Sequence, residues 1–338
     1  MRLERETDMK ILFVCKKRGS YGYLSSGLLN SVKFVTEMLN DMGVEAKMVE
    51  VTDNNSIDAE VTRFKPTHVI IEAFWVVPEK FDVLMPLHPD VTWIVRNHSD
   101  IPFLANEGIA FEWMFEYLER GVRIASNKPA TVRDLSRLLR THVQYLPNYY
   151  PVTHTREPHF KLGDHLNIGC FGAVRPLKNQ LMQALAAIEF ADEHNKRLRF
   201  HMNVGRIEMN GDPIIKNIRA LFANLPRHHE LIEHPWLDHD KFIALAKKMD
   251  LGMQVTFSET YNIVSADLVN LEIPIVVSPE VHWANQDSWA DPSSIEDMVL
   301  TLNEVCEHHK TIIKENKKGL MHENADTICA WWEFITND

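Results

Sequence analysis

Four cysteines in 338 residues, Cys15, Cys170, Cys306 and Cys329, form no CxxC pair. That spacing fits a reduced cytosolic compartment and not a zinc site. No apolar run approaches the roughly 20 residues of a membrane span. The first ten residues, Met1 to Lys10, are charged and hold no apolar signal region. A cytoplasmic, non-exported protein is therefore expected. There is no GxGxxG loop, no internal repeat and no low-complexity run, and no stretch is read as a DxD-like metal motif. A dinucleotide fold is not expected, nor is a bound metal or cofactor.

Excess positive charge is missing too. The net charge is −11, which at first sight speaks against a polyanionic partner. The deficit is uneven, however: residues 1–150 hold 18 Lys and Arg against 20 Asp and Glu, and the remainder holds 18 against 27. The near-neutral first half is still able to meet an anionic partner. The chain is 45% hydrophobic and 25% charged, as in a globular protein, and long enough for two domains.

Short apolar runs alternate with helical patterns along most of the chain, the mark of a parallel α/β sheet. Strands are expected at 10–15, 45–51, 68–75, 91–96 and 122–126. Helices are expected from Leu28 to Met42 and over 57–64, 111–121 and 130–139. The loop after the first strand contains Gly19 and Gly22, which allow close backbone approach to a ligand. His98 follows the fourth strand, where ligands bind in such sheets. Arg133, Arg137 and Arg140 recur at helical spacing, as a solvated face or as a dock for an anionic acceptor. The second half repeats the alternation, with strands at 166–172, 199–204, 231–236, 251–257 and 273–278. Helices are expected at 180–193, 214–225, 240–249, 295–306 and 310–334.

The most informative stretch is Ser258 to Val277, a strand–turn–helix–strand unit. Glu259 lies in its turn, and Asp267 comes eight positions later on the helix. With Gly172, Arg175 and Lys178 after the strand at 166–172, this stretch resembles the donor-binding signature of family 4 retaining glycosyltransferases. Pro147-Asn148 and the Pro274 strand fit the same pattern. Asn262 and Glu272 stand where that family usually has glycine, and Arg175 lies closer to the following Pro than is usual.

The resemblance implies a GT-B α/β fold, with two Rossmann-like domains facing across a cleft. They are an acceptor domain at 1–150 and a donor domain at 166–315. A linker at 151–165 joins them, and a C-terminal helix at 316–338 packs back on the first domain, with Trp331-Trp332 as its anchor. It implies a nucleoside-diphosphate sugar as donor, UDP-linked by expectation. Arg175 and Lys178 would hold the diphosphate, Glu259 the sugar and Asp267 the ribose hydroxyls. Gly19, Gly172, Thr260, Tyr261, Asn262 and Ile263 would shape the donor pocket, and His98 would sit beside the transferred sugar. Trp236 is read either as a neighbour of the base or as a core residue. The acceptor stays open between a glycan and DNA carrying hydroxylated bases. A nucleotide-sugar epimerase or hydrolase of the same fold, and a non-catalytic scaffold that binds sugar nucleotides, are the alternatives.

Overall fold

The computed structural model describes residues 8–17, 26–153, 163–226 and 228–337. Gly19 and most of the expected linker fall outside the described residues. The chain divides into two compact units, Met1–Pro151 with Asn324–Asp338, and Val152–Glu323.

In the first unit the elements are β1 (Lys10–Lys16), α1 (Ser26–Asp41), β2 (Glu45–Val51), α2 (Ser56–Phe64) and β3 (His68–Glu72). A 3-10 turn at Pro78–Lys80 leads to α3 (Phe81–Leu87), β4 (Thr92–Asn97), α4 (Ile101–Leu104), α5 (Ala110–Glu119), β5 (Arg123–Ser126), α6 (Pro129–Leu139) and β6 (Gln144–Tyr145). The strands form one sheet in the order β2-β1-β3-β4-β5-β6, and every pairing is parallel. A parallel sheet is covered on both faces, which explains why β1 is a continuous apolar run. Leu12 and Val14 face the core beneath α2, α3, α5 and α6. Ile11, Phe13 and Cys15 alternate to the other face, against α1 and the end of the chain. Each fully buried side chain of this size contributes about 1.5–3 kcal/mol.

The second unit contains β7 (His165–Cys170), a 3-10 turn at Pro176–Lys178, α7 (Gln180–Glu193), β8 (Arg197–Asn203), α8 (Asp212–Asn224), β9 (Glu230–His234) and α9 (His239–Ala246). It continues with β10 (Leu251–Gln254), α10 (Ile263–Asn270), β11 (Ile275–Val277), α11 (Ile295–Glu307) and α12 (His309–Asn337). Its parallel sheet has the order β11-β10-β7-β8-β9. Leu166, Ile168, Phe200, Met253 and Val276 lie in one core with Ala187 and Phe190 of α7.

Three expectations change. The strand at 68–75 stops at Glu72, because Ala73 takes left-handed backbone at φ 67° and its N–H bonds the Arg96 carbonyl at 2.9 Å. Arg140 is the C-cap of α6, at φ 53°, so the helix that carries Arg133 and Arg137 ends there instead of continuing their row. The passage of the last helix between units lies inside α12 at 323–324 and not at 316. Lys317 Nζ pairs with Glu272 Oε1 at 2.7 Å in the second unit. The later residues pack in the first, where Trp331 is fully buried and donates to the Pro147 carbonyl at 2.9 Å.

Candidate functional site

In an open parallel sheet, ligands bind beyond the carboxyl ends of the strands where the strand order reverses. In the second unit the chain builds β7, β8 and β9 outward, then returns to place β10 on the other side of β7. The reversal lies between β7 and β10. The loops leaving these two strands carry Gly172, Arg175 and Lys178 on one side and Glu259 to Ile263 on the other.

Hydrogen bonds stitch the two loops together. The Phe257 N–H bonds the Leu177 carbonyl at 2.9 Å. Gln183 donates to the Lys178 carbonyl at 2.8 Å and accepts from the Val255 N–H at 2.9 Å. Asn179, left-handed at φ 58°, donates to the carbonyls of Val255 and Pro292. This frame places Lys178 Nζ against Glu259 Oε2, with only 12% of each side chain exposed. Burial by itself would raise the Glu259 pKa, but Lys178 and then Arg175 outweigh it and hold the carboxyl below its usual range. Glu259 is therefore ionised at neutral pH.

The turn that follows is built by its own side chains. Asn262 has φ 60° and caps α10 by accepting from the Ser265 N–H at 3.0 Å. Its amide donates to Gln254 Oε1 at 3.1 Å and to Glu259 Oε2 at 3.4 Å. Tyr261 is buried and its carbonyl accepts from the Trp283 indole at 2.8 Å. Thr260 is buried as well, whereas Ile263 at the first position of α10 is half-buried. Gly172 has φ +116°, which suits glycine, and its N–H bonds Asn203 Oδ1 at 3.2 Å. Asp267 is buried on α10 and bonds His239 Nε2 at 2.8 Å.

Arg175 lies close enough to lower the Glu259 pKa and also faces a second carboxylate. Its Nη1 lies 3.5 Å from Glu208 Oε2, and Arg206 grips the other oxygen of the same carboxylate. The Arg206 guanidinium also stacks over the ring of Trp236, 5.2 Å from its centroid. Trp236 is half-buried, so it is not a core residue. A methyl at Gly205 would come within 2.5 Å of the Trp236 backbone nitrogen, so glycine is required for this approach.

Several of these partners are not visible in the sequence pattern: Arg206, Glu208, Asn203 and His239. Each comes from a strand end other than β7 or β10. Their sole signal is position: Asn203 ends β8, Arg206 and Glu208 lie in the loop after it, and His239 opens α9 after β9.

In the first unit, His98 follows β4 and its Nε2 meets Glu72 Oε2 at the end of β3. Glu72 and Arg96 are register partners and fully buried. Arg96 also donates to the carbonyls of Leu146 and Pro147 and to Asn148 Oδ1 at 2.8, 2.9 and 2.6 Å. Burial pushes the His98 pKa below its ordinary value, with Glu72 pulling the other way. For Glu72 burial raises the pKa, but Arg96 and His98 outweigh it and keep the carboxyl low. The sequence signal was a single charge at the end of each of two apolar strands. Arg133 and Arg137 are exposed on α6, and Arg133 Nε pairs with Asp134 at 3.1 Å.

One group of metal-type ligands converges among the described residues: Asp192, His228 and His229. The Leu198 N–H donates to His229 Nδ1 at 3.2 Å, so the proton sits on Nε2 and is given to Asp192 at 2.9 Å. That nitrogen has no lone pair for a metal. His229 is buried and bonded to the exposed Asp192, while His228 is exposed, 3.9 Å from the same carboxylate.

No family model matches the chain, and no curated protein matches it by sequence. Solved structures do match in fold. A UDP-forming α,α-trehalose-phosphate synthase from Burkholderia xenovorans aligns over 97% of this chain and 99% of its own, with TM-score 0.66 and 11% identity. The N-terminal domain of Candida albicans trehalose-6-phosphate phosphatase aligns over 100% and 98%, with TM-score 0.66 and 10% identity. Staphylococcus aureus TarM, in complex with fondaparinux, α-GlcNAc-glycerol and UDP, aligns over 80% of this chain and 55% of its own, with TM-score 0.61 and 14% identity. The chain has the GT-B fold, with two parallel-sheet α/β domains. No helix among the described residues is long and apolar enough to cross a membrane.

Proposed function

We propose that the chain is a retaining glycosyltransferase that takes a sugar from a nucleoside-diphosphate sugar, with UDP as the nucleotide, and transfers it to an acceptor hydroxyl. The observation that carries this reading is the Lys178–Glu259 contact at the point where the second sheet reverses its order. As the glycosidic bond breaks, negative charge grows on the departing diphosphate. Fixed cations and helix N–H groups lower the energy of that charge. On this reading Lys178, Arg175 and the start of α10 supply them, and no metal ion is needed. The ionised Glu259 accepts hydrogen bonds from the sugar hydroxyls and fixes its orientation. Asp267, held by His239, addresses the ribose. Trp236, under Arg206, lies beside the base.

In a retaining transfer of this kind the carbon–oxygen bond to the phosphate breaks and the acceptor oxygen bonds on the same face. Its proton passes to the leaving diphosphate, so no protein nucleophile is required. The UDP in the TarM complex and the UDP-forming neighbour support the choice of nucleotide.

The test is a thermal shift with a panel of nucleoside diphosphates and their sugars, on wild type and Glu259→Ala. Both proteins should be stabilised by UDP, and only wild type should gain further from the attached sugar. Absence of a shift with every nucleotide would sink the reading. Sugar release without any added acceptor would favour a hydrolase or epimerase of the same fold, and binding without turnover a scaffold. Turnover that survives EDTA supports metal independence, and the anomeric configuration of the product by NMR decides retention.

A further inference from the structure

The first sheet has its own reversal. The chain runs from β1 to β2, then places β3 on the opposite side of β1. The same rule that points to β7 and β10 in the second unit points here to the ends of β1 and β3. A cavity of about 560 Å³ opens there, lined by Lys16 at the end of β1, Asp53 and Asn55 after β2, and Trp75, Glu79 and Lys80 after β3. That volume lies within the usual range for small-molecule sites, about 300–1,000 Å³.

We propose that this cavity binds an uncharged saccharide, which is the acceptor of the transfer. Its role as acceptor rests on the function proposed above; its ligand class rests on the lining alone. Trp75 is half-buried, and its indole N–H donates to the Glu72 carbonyl at 3.0 Å. The bond fixes the ring where it lines the cavity, and the indole supplies apolar surface for the C–H side of a sugar. Lys16 Nζ lies 5.9 Å from the ring centroid. Around this platform stand groups that exchange hydrogen bonds with hydroxyls. Lys80 Nζ donates to Asn55 Oδ1 at 2.9 Å. Asp53 Oδ1 accepts from the N–H groups of Asn55 and Ser56 at 2.8 and 3.0 Å. The polar wall is thus preorganised.

The charges decide the class. Lys16 and Lys80 are balanced by Asp53 and Glu79, so the lining offers no net attraction to a phosphate or a polyanion. The arginine row that would have suited DNA is shortened by the turn at Arg140. Position supports the acceptor role, since Trp75 is bonded to the backbone of Glu72, whose carboxylate holds His98.

The experiment is saturation-transfer NMR on the full chain without nucleotide. Glucose, galactose, mannose, N-acetylglucosamine and maltose are the probes, each at about 10 mM. Glucose 6-phosphate and an oligonucleotide with hydroxymethylated cytosines, the latter at two salt concentrations, provide the charged arms. At least one neutral sugar should bind. Trp75→Ala should weaken it by about tenfold or more, with Trp75→Phe retaining most of the affinity. Glu79→Gln, an exposed change that leaves the fold alone, should weaken it too. The UDP thermal shift should be unchanged in all three variants, so loss of saccharide binding is separable from loss of the donor site. No binding of any neutral sugar, or preference for the phosphorylated sugar or the oligonucleotide, would overturn the proposal.

Discussion

Asn262 and Glu272 bracket α10 with the same backbone: each has φ 60°, in the left-handed region. Both are held at a φ that glycine takes without strain and that other residues rarely adopt. Each offsets the strain with its side chain. Asn262 caps the helix through Ser265, and Glu272 pairs with Lys317 on α12 at 2.7 Å.

These two positions should therefore respond unlike ordinary sites. Left-handed backbone costs a residue with a Cβ roughly 1–2 kcal/mol. Glu272→Ala loses the ion pair and keeps the strain, whereas Glu272→Gly loses the pair and relieves it. The glycine variant should be the more stable, by about 1 kcal/mol in urea unfolding. Asn262→Ala and Asn262→Gly both lose the cap and the buried amide, but the glycine variant escapes the strain and should be the more stable by about 1–2 kcal/mol. Equal stabilities for the Ala and Gly variants would refute the assignment of strain.

The Lys178–Glu259 pair makes a second prediction. Removing one member leaves the other buried and uncompensated, at a cost of about 3 kcal/mol or more. Lys178→Met and Glu259→Gln should each destabilise the fold, and the double variant should cost less than the two together. Because the folded pKa of Glu259 is depressed, its contribution is present above the unfolded value near 4.5. It is lost as pH falls through the folded value. The double-mutant coupling should thus be constant from pH 6 to 8, about neutrality, and shrink only in acid. A coupling that changes across neutral pH would contradict an ionised Glu259.

How much of this was open to reading from the chain alone depends on sequence distance. The β10–turn–α10 unit, with Glu259 and Asp267, is contiguous, and helix spacing was enough to find it. Lys178 was found through the resemblance of its Gly-x-x-x-Pro-x-Lys segment to a donor-binding signature, and a cation in the loop that starts a helix fits an anion nearby. Glu72, Arg96 and His98 come from separate strands, and only the parallel register brings them together. Trp75 lies in a turn and not a strand because Ala73 reverses its backbone, and no periodicity announces that. Arg206 and His239 follow strands β8 and β9. The sequence places them at the right edge of a sheet but does not say which loops touch.

Acid stability gives a third test. His201 is buried on β8, with Nδ1 2.9 Å from His234 Nε2 on β9. Burial, then His234 and Arg199, push its pKa down to about 4 from an ordinary 6.5. Between these values the unfolded chain binds a proton that the folded chain refuses, so stability falls as pH drops below 6.5. From pH 7 to 5 the loss from this one group is about 2 kcal/mol. His98, also depressed by burial, adds in the same direction. Urea unfolding of wild type and His201→Asn at the two pH values measures it. The variant should lose clearly less stability on acidification, and parallel losses would show that the His201–His234 pair is not what titrates.

The last prediction concerns the end of the chain. In the first unit Trp331 is buried against Phe13, with ring centroids 5.9 Å apart, and its indole N–H bonds the Pro147 carbonyl. Two further contacts on α12 serve the same segment: Thr327 donates to the Asn148 carbonyl at 2.9 Å, and Asn324 bonds both backbone groups of Tyr150. The adjacent Trp332 is only half-buried. Trp331→Ala should cost about 3–5 kcal/mol by opening a cavity, and Trp331→Phe about 1 kcal/mol more than the lost area implies, for the orphaned carbonyl. Trp332→Ala should cost under about 1 kcal/mol. In calorimetry the Trp331→Ala loss should fall on the transition of the first unit, because the core that closes over this side chain belongs to that unit. If Trp332→Ala proved as damaging as Trp331→Ala, the anchor would have to be assigned to the pair.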